Sequence, residues 1–209
     1  MTRPGRSTTP IEVVETARRG GRRAAAGAIL VGALLLAGCS SGDVPSGGSV
    51  TGTGTSATSA PAEAVAARSG GFTLVPAEGW VDATDRAGEV AGLDLVVLSS
   101  VQVAKFNDNL VITSAKGGAT DLDAEISRGR TQLEGQGRTI SDAPDLQVAG
   151  ETATGFSSAF EEAGIPVVAR SYGVSHGGRI YLLTLSSSPG EADHAMAELT
   201  AMLAGWLWT

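Results

Sequence analysis

The 209-residue chain has one cysteine, two histidines and two lysines. A lone thiol closes no intrachain disulfide, so the fold must stand on its hydrophobic core. Two histidines without a cysteine cluster exclude the usual transition-metal sites. No phosphate loop is present, and no G-x-G-x-x-G dinucleotide fingerprint. No apolar run reaches the length of about 20 residues that a membrane-spanning helix needs. Positive charge is scarce beyond the first 38 residues: from Cys39 to Thr209 there are nine basic and twenty acidic side chains, a net charge of −11. Such a balance repels phosphate backbones and anionic headgroups, which argues against nucleic acid as a partner.

The first 38 residues are different. They carry six arginines against Glu12 and Glu15, followed by the uncharged run AAAGAILVGALLLAG from Ala24 to Gly38. A positive flank before a short apolar core is the pattern of a secretory signal. The run ends Leu36-Ala37-Gly38-Cys39, which resembles the lipobox of bacterial lipoproteins. Small residues at 37 and 38 admit a signal peptidase, and the Cys39 sulfur takes a diacylglyceryl thioether. Residues 1–38 are therefore expected to be a lipoprotein signal peptide and Cys39 the lipid-attachment site. Each buried CH₂ contributes about 0.8 kcal/mol, so two or three chains make a firm anchor. The expected location is the extracytoplasmic face of the cell membrane, with the acyl chains on Cys39 holding the protein there.

Residues 39–70 consist mostly of Ser, Gly, Thr, Ala, Pro and Val. They cannot bury enough apolar surface to offset ordering entropy, so a flexible tether is expected. The usage of 13 arginines to 2 lysines, with abundant Ala and Gly, suggests a high-GC genome such as an actinobacterial one. Residues 71–209 have the size of one globular domain, expected to be monomeric.

One motif suggests chemistry. Gly173-Val-Ser175-His176-Gly177 is a literal G-x-S-x-G, the nucleophile elbow of serine hydrolases, which would make Ser175 a catalytic nucleophile. The elbow needs a helix after the serine, yet Arg179–Leu185 reads as a strand, so Ser175 is expected at a hairpin tip. His194 follows Asp193 directly on a helix, and neighbouring helical residues point about 100° apart, so the pair cannot form a relay. Asp121-Leu-Asp123-Ala-Glu125 has the opening of a calcium loop but Ile126 where glycine is required. Asn107-Asp108-Asn109 is expected to be a turn. No metal, cofactor or catalytic residue is expected, and the protein is expected not to be an enzyme.

The pattern elsewhere runs strands, helix, strands, helix, without the regular alternation of a parallel α/β fold. Phe72–Val75 reads as a strand ended by Pro76. Asp94–Ala104 and Leu110–Ala115 form a hairpin, with Leu95, Val97, Val101 and Val103 on one side. A helix over 121–134 starts at a Thr120 cap. Strands follow at 145–149, 152–160, 165–175 and 179–187. The last is apolar on both faces and so belongs in the middle of a sheet. A final helix, capped by Ser188, carries Ala195, Leu199, Met202, Leu203 and Trp206 on one stripe. This order implies an α+β domain with an antiparallel β-sheet flanked by helices.

The lipobox, the tether, Pro76…Gly79-Trp80, Asn109-Leu-Val-Ile-Thr113 and Gly178-Arg-Ile-Tyr-Leu-Leu-Thr184 together resemble actinobacterial lipoproteins of the LpqN/LpqT type. That resemblance implies a Mog1/PsbP-like α/β/α sandwich and a non-catalytic role in the cell envelope. It implies binding of a lipid or glycan ligand, or of an envelope protein, through residues that it does not specify.

Overall fold

The computed structural model describes residues 63–209. The expected signal peptide, Cys39 and most of the expected tether lie outside the described residues. The final segment of that tether belongs to the domain, so the expected boundary at 70/71 is corrected. Strand β1 (Val65–Ala66) pairs antiparallel with β2 (Phe72–Leu74), and Ala67 is buried. Arg68 donates to the carbonyls of Gly88 (2.8 Å) and Thr84 (3.0 Å). Composition hid this because a two-residue strand needs a partner, not a hydrophobic run.

A seven-stranded antiparallel sheet forms the body. Its strands are β3 (Trp80–Asp82), β4 (Leu93–Val103), β5 (Phe106–Lys116), β6 (Thr139–Val148), β7 (Glu151–Glu162), β8 (Ile165–His176) and β9 (Arg179–Ser187). Their spatial order is β3-β4-β5-β9-β8-β7-β6. The doubly apolar β9 is thus the central strand. Side chains alternate between faces along a strand. On β9, Tyr181, Leu183 and Leu185 enter the main core, while Ile180 and Leu182 pack under helix α1 (Ala119–Gly135). Helix α2 (Ala192–Ala204) supplies Ala195, Leu199, Met202 and Leu203 to the main core on the opposite face. The architecture is an α+β fold, with one helix on each side of the antiparallel sheet.

A second sheet, ordered β1-β2-β10 with β10 spanning Leu207–Trp208, covers one end of the main core. Trp206 lies beyond α2, contrary to the expected continuous stripe. Its ring stacks on Phe72 at 3.9 Å between centroids. Burying a large side chain contributes about 1.5–3 kcal/mol, more than continuing the helix for a few residues. The chain therefore leaves the helix at Gly205 and pairs with β2.

Other local expectations also shift. Ala104 and Lys105, both with positive φ, make the β4–β5 turn. Asn107-Asp108-Asn109 is consequently strand, not turn. A register shift between Leu98 and Gln102 re-aims the end of β4, leaving Val101 64% exposed while Leu95 and Val97 are in the core. Helix α1 starts one residue before Thr120: the N–H of Gly118 donates to Asp121 Oδ2 at 3.0 Å. That cap, together with the pairing of Glu125 with Arg128, occupies two carboxylates of the supposed calcium loop. Ser188 makes no side-chain cap; α2 begins after a turn in which the Glu191 N–H reaches the Ser188 carbonyl.

Candidate functional site

Ser175 and His176 occupy the last two rungs of β8, paired with Ile180 and Arg179 of β9. The two-residue turn between the strands is Gly177-Gly178, with φ of 57° and 74°, the geometry that suits a tight hairpin. Consecutive strand residues face opposite sides, so Ser175 points to the α1 face and His176 to the α2 face. His176 stacks flat on Trp208 at 4.3 Å and lies 3.3 Å from Glu151 Oε1. His194 sits on α2, across the sheet from Ser175. The structure therefore brings no histidine to the serine. Gly173 has its own reason: a Cβ there would come within 2.6 Å of Leu122 Cδ1 on α1. The first glycine of the motif permits helix packing and the last permits a turn.

The α2 face of the sheet holds a different feature. Strand β6 is the sheet edge, and a register shift between Ala143 and Leu146, around Pro144, bends it. Between β6 and α2 a groove opens as two adjoining hollows of about 420 and 400 Å³, both bordered by Leu146 and Thr200. In the first, Ser141, Asp142, Ser157 and Arg170 supply polar groups beside Tyr172 and Met196. In the second the walls are mainly apolar, with Leu146, Leu203, Ala204 and Trp206. Arg170 fixes the first turn of α2, donating to the Ala192 carbonyl (2.6 Å) and to Asp193 Oδ1 (3.2 Å). The Tyr172 hydroxyl donates to Met196 Sδ at 3.8 Å. Burial holds its phenol above the ordinary range, with the charge of Arg170 opposing the rise. It stays a neutral donor at the polar end.

No protein-family model matches the sequence, and no curated protein does. Solved structures resemble it in fold. LpqN of Mycobacterium tuberculosis, whose structure is described as that of a protein involved in cell envelope biogenesis, is 14% identical with a TM-score of 0.53. The match covers 70% of this chain and 90% of LpqN. A Bacteroides thetaiotaomicron protein is 13% identical with a TM-score of 0.50, over 72% of this chain. The chain spans about half (49%) of the length of that protein. A cyanobacterial PsbP from Synechocystis is 14% identical with a TM-score of 0.47, covering 76% of this chain and 99% of its own. At these identities the likeness to LpqN and the Bacteroides protein is one of fold alone, an antiparallel β-sheet with a helix on each side.

Sequence reasoning did not find the groove. Its residues come from β6, β7, β8, α2 and the segment that follows α2, and they share no local spacing. The proline in the middle of a strand, Pro144, was the one available signal, because proline inside a sheet marks an edge or a bulge.

Proposed function

We propose that this chain is a lipid-anchored, non-catalytic module of the cell envelope that binds an amphipathic ligand, a lipid or glycolipid, in the groove between α2 and β6. The observation that carries this reading is the groove's polarity: hydroxyls, Asp142 and Arg170 at one end, and an apolar wall ending at Trp206 at the other. Ligand sites combine such apolar walls with a few placed polar groups. The fold shared with LpqN, an envelope-biogenesis protein by its own description, supports the location. The Leu36-Ala-Gly-Cys39 motif supplies the anchor. Among the described residues no helix is long and apolar enough to cross a membrane. The rival reading, a serine hydrolase using Ser175, has no histidine on the serine's face.

Thr200 gives a clean test, because it borders both hollows and is exposed on α2. Thr200→Trp should fill the groove without entering the core. Protein purified from actinobacterial membranes is extracted with organic solvent, and the extract is analysed by mass spectrometry. The parent should release one lipid or glycolipid class in near-stoichiometric amount. The variant should lose most of it at an unchanged melting temperature. An empty groove in the parent, or equal recovery from both proteins, would overturn the ligand reading. A groove-dependent crosslink to one envelope protein would turn it into an assembly reading.

A further inference from the structure

A second feature lies at the other end of α2. The early β4–β5 turn puts Asp108 inside β5 on the α2 face, where the residue is 7% exposed. Its Oδ1 is buried and has no hydrogen-bond partner. Asp108 lines a cleft of about 100 Å³ between the hairpin and the start of α2. Glu78, Glu191 and Glu198 line the same cleft, so four carboxylates surround it, and no lysine or arginine does. The one basic group there, His194, is mostly exposed and lies 3.6 Å from Glu198 Oε1. A buried carboxylate without a counter-charge is costly, and a cation entering the cleft relieves that cost.

The kind of cation follows from the shape. Among the described residues, no three acidic, histidine or cysteine groups converge closely enough to hold a metal ion. The carboxylates ring the space. Val101, which is exposed, and Val103 form an apolar wall beside them. A guanidinium has splayed donors that reach several carboxylates, on a stem that packs against apolar surface. The partial positive charge at the start of α2 opposes any cation, but it is a fraction of one charge against four carboxylates. We propose that this cleft receives an arginine side chain presented by a protein partner. The net charge of −11 from Cys39 onward suits a basic partner and would speed its approach.

The test uses the mature chain with Cys39→Ser, observed by amide NMR. The probe is N-acetyl-arginine methylamide, compared with the matching citrulline and lysine compounds and with calcium chloride. The arginine probe should saturably shift the amides of Val101, Val103, Asp108 and Glu191, and the neutral citrulline probe should not. Asp108→Asn combined with Glu198→Gln should weaken the response by about tenfold or more, with the remaining spectrum unchanged. No saturable shift at these amides would overturn the proposal, as would equal shifts with citrulline or in the double variant. Equal binding of the lysine probe would overturn the guanidinium assignment, and tighter binding of calcium would replace it with an inorganic cation site. None of these results bears on the groove between α2 and β6.

Discussion

Asp108 sets a pH dependence that can be checked without any ligand. Burial pushes its carboxyl from 3.8 up to about 6, and the charges of Glu191 and Glu198 add to the rise. The Ser188 backbone N–H and His194 oppose it. Because the folded state binds this proton more tightly than the unfolded state, the stabilising protonated form is fully present below pH 4. It is lost as pH rises through about 6. The charged form then costs the fold on the order of 2–3 kcal/mol. Asp108→Asn keeps an acceptor for Ser188 and removes the charge. The variant should be more stable than the parent in urea at pH 7.5, and the gap should close toward pH 4. A gap that stays constant over this range would show that ionisation of Asp108 is not its source.

Among the elements, β1 has the largest consequence for its size. Through it, residues 65–70 contribute two strand pairings, buried Ala67 and the Arg68 side chain, which clamps the carbonyls of Thr84 and Gly88. The Ser69 N–H also donates to Asp94 Oδ1 at 3.1 Å. Hydrogen bonds from a charged donor are worth roughly 1.5–3 kcal/mol in favourable settings. A chain beginning at Gly71 should therefore melt roughly 3–12 °C below one beginning at Glu63. Equal melting temperatures in a thermal scan would show that this segment rests on the domain without supporting it. Elements with a local cause were legible from sequence: β9 by its two apolar faces, both helices by their spacing, and the β8–β9 turn by its paired glycines. Those with a distant cause were not. Ala104 and Lys105 carry a left-handed turn without glycine, so Asn107-Asp108-Asn109 took the blame for it and Asp108 was missed. Trp206 leaves its helix for Phe72, more than 130 residues earlier. The groove depends on a bulge in one strand facing a helix that follows some fifty residues later. No window of sequence contains both.

For the whole molecule, charge and the proposed anchor work in opposite directions. A chain with a net charge of −11 from Cys39 onward gains nothing from anionic headgroups and is repelled by them. On the proposed reading, attachment comes from acyl chains on Cys39, at about 0.8 kcal/mol per buried CH₂. Salt distinguishes the two possibilities, because a polybasic contact weakens within a Debye length of about 3 Å at 1 M salt, whereas acyl insertion does not. The parent protein is expected to remain in the membrane fraction after a wash in concentrated sodium chloride and to leave it in detergent. Cys39→Ala addresses the anchor directly. Without the sulfur no thioether forms, and the peptidase that acts on the lipidated residue has no substrate. Cells fed a labelled fatty acid should incorporate label into the parent and none into the variant, which should also keep residues 1–38 and be heavier by the corresponding mass. Undiminished label on the variant would remove the lipoprotein reading, and release of the parent by salt alone would assign its attachment to charge.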